Sequence, residues 1–259
     1  RGAFFGNYSE ADVRGVYELL SAAVSASPSA GYARSNIYAP KPATTLLLNR
    51  EVPVEDLGML YAFAAPEASV KNQALSQILA RHLRVRAFET LRTEEQLGYA
   101  AGGGALDLYK HPMVILYIQT PVKGPQEMLD RFTAYTDEYR DELAALPEAS
   151  FEKFKAGVLT ALTEPPKNLS AEAGPFVSDW AIEHYDYDTR AKLIAAVNVA
   201  TLQDVQRFYE ETVFSETSSR IVIQLRGKRY SERPFATVEG GVVIDDIDKF
   251  HNEMPVQGR

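Results

Sequence analysis

The stretch Phe88-Glu89-Thr90-Leu91-Arg92-Thr93-Glu94-Glu95-Gln96-Leu97-Gly98-Tyr99 is polar and charged, yet apolar segments lie on both sides of it. Upstream, Leu75, Ile78, Leu79, Leu83, Ala87 and Leu91 recur at helical steps and predict one helix over residues 70–91. Gly98 reads as the stop just past that helix, where a positive φ is common. Tyr99 then begins a strand. The break is thus flanked by Arg92, a permanent cation with a five-donor fork, and Tyr99, a neutral hydroxyl donor. Glu94 and Glu95 fall where the helix macrodipole favours cations. Arg92 offsets Glu95 at i,i+3 by only ~0.2–0.5 kcal/mol. Residue types alone describe a solvated helix end with a capping glycine. A broken local rule is also what a functional site looks like.

Outward from this turn, the segment from Met113 to Gln119 reads as a buried strand, apolar on both faces. Gly102-Gly103-Gly104 reads as a flexible hairpin turn. Gly124-Pro125 opens a long helix with Met128, Phe132, Tyr135, Tyr139, Leu143 and Leu146 on one face. The aromatic stripe within it is core rather than a docking face. Pro147 ends this helix and begins another, striped by Phe151, Phe154, Val158, Leu159 and Leu162 and stopped by Pro165-Pro166. A further helix after Ser170 is expected to break at Gly174-Pro175, and Trp180 is expected in the core. Thr201 with Asp204 forms a capping box for a helix carrying Leu202, Val205 and Tyr209.

Thr45–Leu48 and Gly58–Ala64 are early strands, residues 220–225 a late one, and the tail from Arg229 runs over the surface. Strands early and late with helices grouped between them predict an α+β fold: a mainly antiparallel sheet covered by helices on one face. Near the start, Ala3-Phe4-Phe5 reads as a strand end, and Ser9 with Asp12 caps a helix carrying Val13, Val16, Tyr17 and Leu20. Ser25 to Pro42 reads as a linker.

The chain has 259 residues, 46% of them hydrophobic, which is ample for a packed core. No apolar run approaches the ~18 residues of a membrane span, and no signal peptide is expected at the start. A net charge of −8 argues against nucleic acid as a partner. The absence of cysteine excludes disulfides, thiolate catalysis and Cys-ligated zinc. It suits a bacterial periplasm or cytoplasm. The four histidines, His82, His111, His184 and His251, belong to no His-x-x-Glu-His or His-Glu-x-x-His pattern and read as structural or surface residues. His82, on the helix before the turn, is the one that could face a cavity. No Gly-x-Ser-x-Gly elbow or phosphate-binding loop occurs. Glu51, Glu55 and Asp56 read as a solvated acidic loop.

Leu91-Arg92-Thr93-Glu94-Glu95-Gln96-Leu97-Gly98-Tyr99 resembles the Leu-Arg-x-x-Glu-Gln-Leu-Gly-Tyr signature of the pitrilysin and insulysin zinc metallopeptidases. There it lies in the fourth domain, in the half that does not bind zinc. Leu169-Ser170-Ala171-Glu172-Ala173, Trp180, Tyr185-Asp186-Tyr187-Asp188 and Thr201-Leu202 resemble the same domain in order and spacing. The resemblance covers most of residues 36–226. It implies residues 1–35 as a remnant of the third domain plus linker, and 36–259 as the fourth, with the fold shared by LuxS and mitochondrial processing peptidase.

The resemblance further implies a parent zinc metalloendopeptidase that hydrolyses small peptides between two bowl-like halves. Zinc would sit in the N-terminal half, and this part alone would be inactive, with no metal ligand and no cofactor. Arg92 and Tyr99 would reach the peptide substrate from across the chamber, as catalytic and substrate-binding residues. Inactive scaffold or partner subunits of the same superfamily are the alternative. Two departures stand out: Gly174-Pro175, where the family keeps an unbroken helix, and Ala100-Ala101-Gly102-Gly103-Gly104, where it has bulkier residues. A mobile glycine-rich gating loop like that of mitochondrial processing peptidase is an analogy for the latter.

Overall fold

The structure is a computed structural model that describes residues 4–23, 41–108 and 111–253, apart from the side chains of residues 251 and 253. The linker expected over residues 25–42, except its last two residues, lies outside the described residues. So do the expected boundary at residues 35–36 and the environment of the His251 side chain.

A mixed six-stranded sheet forms the scaffold, in the order β3-β4-β2-β5-β1-β6. Its strands are β1 (Thr45–Glu51), β2 (Leu57–Ala64), β3 (Ala100–Leu108), β4 (His111–Thr120), β5 (Ser219–Arg226) and β6 (Val242–Ile244). Three of the five pairings are antiparallel, and β1 pairs in parallel with β5 and β6. The expected α+β architecture with a mainly antiparallel sheet is what the chain adopts.

The helices are α1 (Glu10–Ala23), α2 (Val70–Ala87), α3 (Pro125–Ala144), α4 (Glu148–Thr163), α5 (Leu169–Ala181), α6 (Thr189–Val199), α7 (Leu202–Val213) and α8 (Ile247–Glu253). Side chains alternate across a strand, and burial follows that period. Leu47, Met59, Tyr61, Phe63, Val114, Leu116, Ile118 and Val222 are buried on the face covered by α2, α3 and α7. On the opposite face Leu60, Ile115 and Ile223 are half-buried, and Tyr117 and Leu225 are exposed. Phe132, Tyr135 and Tyr139 are 0–1% exposed and belong to the core, as their helical spacing predicts.

Several local expectations are corrected. Phe4-Phe5 forms no strand and both rings are exposed; Phe5 stacks on Phe176 at 5.4 Å. The Ser9–Asp12 cap does form, with Ser9 Oγ donating to Asp12 Oδ2 at 2.7 Å, but α1 buries no residue. Gly102-Gly103-Gly104 is not a turn. It lies within β3, paired with Tyr117, Leu116 and Ile115. A Cβ on Gly103 would come within 2.7 Å of Leu83 Cγ, so glycine lets α2 press onto the strand.

Gly174-Pro175 does not interrupt α5. Proline clashes with the Cβ of the residue before it in a helix, and Gly174 has none. Trp180 is half-buried rather than core. The tail is not only surface. Buried Gln224 accepts from Ala236 N at 2.8 Å and donates to Ala236 O at 3.0 Å and Asn49 Oδ1 at 2.9 Å. Tyr230 and Ala236 are buried there, and β6 extends the sheet.

Candidate functional site

Helix α2 ends differently from its expected α-helical course to Leu91. Ser69 caps its start by accepting from Asn72 N, and Leu75, Ile78, Leu79 and Leu83 bury its inner face. At Phe88 the coil widens into a π-helical segment, Phe88–Glu94, continued by a Glu95 N to Thr90 O bond of 3.0 Å. Wide turns of this kind are rare and concentrate at functional sites. Leu91 and Leu97 are buried and pin both sides of the turn to the core. The chain reverses at Gln96, whose φ is 54°.

Positive φ therefore falls on Gln96, not on Gly98 as the cap reading expects. Gly98 is required for another reason. A Cβ there would lie 2.0 Å from the carbonyl oxygen of Gln119, so the backbone rests directly on β4. Thr120 Oγ1 adds a clamp, donating to Leu97 O at 2.5 Å. Tyr99 leaves this clamp immediately before β3 begins at Ala100.

The widened turn and the clamp bring Arg92 and Tyr99 together. The Arg92 guanidinium carbon lies 4.6 Å from the ring centre of Phe88 and 4.6 Å from that of Tyr99. Each such contact is worth about 0.5–1 kcal/mol when exposed. Arg92 is half-buried and Tyr99 is 84% exposed. Among the described residues neither the guanidinium N–H groups nor the Tyr99 hydroxyl has a hydrogen-bond partner, and Arg92 makes no ion pair. The site thus presents a planar five-donor fork beside a phenolic donor. That suits carbonyl or carboxylate oxygens of an incoming ligand.

The turn's underside is held by charge pairs from α3. Glu95 does not pair with Arg92; it accepts from Arg131 at 3.0 and 2.9 Å through Nε and 2.5 Å through Nη2. Arg131 also holds Glu138, and these hydrogen bonds, led by those it donates to Glu95, raise its pKa. Arg86 bridges Glu142 and Glu89 at 2.8 and 2.6 Å. The Arg86 hydrogen bond holds the Glu142 carboxyl below its ordinary pKa. Glu95 thus relieves its unfavourable place at a helix end through tertiary pairing, which a local reading misses.

The histidines lie apart from this site. His82 is buried: its Nδ1 is 2.9 Å from the Tyr139 hydroxyl and its ring packs on Phe154. Burial lowers its pKa. His111 Nε2 meets Ala65 O at 2.8 Å. His184, Asp186 and Asp188 bring three ligand-type atoms within 4.8 Å of one another. His184 Nε2 is already bonded to Asp188 at 2.7 Å, and Lys192 takes the other Asp188 oxygen at 3.0 Å. Of the acidic loop, Glu51 and Glu55 are exposed; Glu51 pairs with Arg226, and Asp56 accepts from Gln119 at 3.0 Å.

Residues 78–177 match a protein family described as PQQ synthase PqqF-like, C-terminal lobe domain 4. Protease 3 of Escherichia coli (strain K12) is 24% identical over 185 residues, covering 71% of this chain and 19% of that protein. The A-factor-processing enzyme of Saccharomyces cerevisiae is 27% identical over 187 residues, covering 70% and 18%. The chain therefore spans about a fifth of the length of these relatives. The crystal structure of pitrilysin superposes with a TM-score of 0.85 at 21% identity, covering 97% of this chain and 27% of that one. A peptidase M16 inactive domain from Pseudomonas fluorescens gives 0.59 at 12% identity, covering 93% and 54%.

Proposed function

The chain is homologous to the C-terminal, non-catalytic half of pitrilysin-type M16 peptidases, and from that premise we propose that it is the substrate-enclosing part of a zinc-dependent peptidase acting on small peptides. One observation carries this reading: the Arg92 fork and the Tyr99 hydroxyl stand side by side, held from below and free of partners within the described chain. By its likeness to pitrilysin-type peptidases, the zinc of the full-length protein is assigned to the N-terminal half.

In this reading Arg92 grips carbonyl oxygens of the bound peptide, its planar fork held in place by the rings of Phe88 and Tyr99, each 4.6 Å from the guanidinium carbon. Tyr99 donates its hydroxyl proton as a hydrogen bond to the scissile carbonyl oxygen as negative charge develops on it. Such a donor acts mainly in the transition state and contributes ~10²–10³ in rate. The division into a third-domain remnant (1–35) and a fourth domain (36–259) belongs to the same proposal. So does a periplasmic location; no helix among the described residues is long and apolar enough to cross a membrane.

The likeness to the peptidase M16 inactive domain from Pseudomonas fluorescens supports a second reading, a scaffold or partner subunit without hydrolysis of its own. The two separate on the full-length protein. The peptidase reading expects chelator-sensitive hydrolysis of a short fluorogenic peptide, with kcat/KM at least about 100-fold lower in an Arg92→Ala, Tyr99→Phe double variant. The scaffold reading expects no hydrolysis in either.

A further inference from the structure

A cavity of about 540 Å³ opens between the end of α4, the loop after it, α5 and α6, lined by none of the residues of the Arg92 site. Its charges are unevenly matched. Lys167 is paired with Glu164 at 3.0 Å. Arg190 spends its guanidinium on the carbonyls of Leu162 at 2.6 Å and Glu164 at 3.1 Å, where α4 ends. Asp179, only 4% exposed, has neither cation. Its Oδ2 accepts from Thr189 N at 3.4 Å, beyond the ordinary range, and its other oxygen meets no donor among the described residues.

A buried carboxylate so weakly partnered is costly unless something supplies charge and donors. The same wall holds a second acceptor that lacks its ordinary i+4 donor. Pro175 brings no N–H, so the carbonyl of Ala171 loses its intrahelical donor, and both residues line the cavity. The remaining surface is largely apolar, from Leu162, Pro165, Pro175 and Leu193.

We propose that this cavity binds an alkyl ammonium group, with the cation on Asp179 and its methylenes along Leu162, Pro165 and Leu193. A lysine side chain and a free aliphatic diamine share that chemistry. An ammonium carries three donors and no acceptor, which matches the under-donated Asp179 carboxylate; Asn168 and Ser178 line the cavity as neutral polar groups and supply no positive charge. The site is separate from the peptide-gripping role assigned to Arg92 and Tyr99 and does not depend on it.

The test is methyl NMR on the 259-residue chain, following Leu162 and Leu193. It is titrated with 1,4-diaminobutane, with a capped Gly-Lys-Gly peptide, and with the norleucine version of that peptide. Saturable shifts with the diamine or the lysine peptide, and none with norleucine, are expected. The tighter of the two identifies the source. Asp179→Asn weakens binding by about tenfold or more, the size expected for a charged hydrogen bond. Ala171→Phe, at an exposed rim position that leaves Asp179 in place, blocks entry and serves if the asparagine variant fails to fold. Equal shifts with norleucine, undiminished binding in both variants, or no shifts at millimolar probe overturns the proposal.

Discussion

The guanidinium carbon of Arg92 lies 4.6 Å from the centre of the Tyr99 ring, and the polar end of neither side chain is bonded within the described chain. They stand seven positions apart in sequence, and three local devices bring them together. A π-helical turn advances Arg92, a left-handed Gln96 reverses the chain, and Gly98 lets the backbone settle onto β4.

Gly98→Ala tests the last device. The added Cβ would sit 2.0 Å from Gln119 O, a backbone atom, so the turn or β4 must move. A loss of about 3 kcal/mol is expected, lowering Tm by roughly 6–12 °C. Urea denaturation of the chain measures it. A change within about 0.5 kcal/mol would mean that the close approach is absent in solution.

Phe88→Leu tests the plating of the guanidinium. Phe88 is 41% exposed, so little stability is at stake. Removing one plate frees the fork, and the loss of about 0.5–1 kcal/mol corresponds to a two- to fivefold rise in KM of the full-length protein, with kcat nearly unchanged. A fall in Tm with unaltered KM would leave Phe88 a packing residue only.

Much of this scaffold is legible in the sequence. Pro125 and the stripe from Met128 to Leu143 mark α3, and Thr201 with Asp204 forms the capping box that opens α7. The signature Arg92–Tyr99 is visible as a motif, and the two residues do meet. What escapes a local reading depends on partners distant in the chain. Gly98 and Gly103 are explained by β4 and α2 pressing on them, which glycine frequency alone reads as a cap and a turn. The π turn keeps the apolar spacing of an α-helix through Leu91, so periodicity is blind to it. Glu95 finds Arg131 across to α3, and Gln224 reveals its hold on the tail only when Ala236 lies opposite it.

Acid should loosen the chain in two stages. Burial lowers the folded pKa of His82 below 6.5, so the unfolded chain binds more protons in that window. The stability this contributes is present above pH 6.5 and is lost as pH falls toward the folded value. Glu142, held low by Arg86, acts likewise below its ordinary 4.5. Melts from pH 8 to 3 should slope downward in both windows. His82→Gln should flatten the upper one and Glu142→Gln the lower one. Slopes identical to the wild type would remove these groups from the acid response.

The central claim is that Tyr99 delivers a hydrogen bond to the developing oxyanion. Its most direct test is Tyr99→Phe in the full-length protein, read by steady-state kinetics on a short fluorogenic peptide beside a thermal melt. At 84% exposure the hydroxyl carries no packing role, so Tm should stay within about 1 °C. The account predicts that kcat and kcat/KM fall together by ~10²–10³, or about 2.7–4 kcal/mol. Full activity in Tyr99→Phe at unchanged Tm would contradict it.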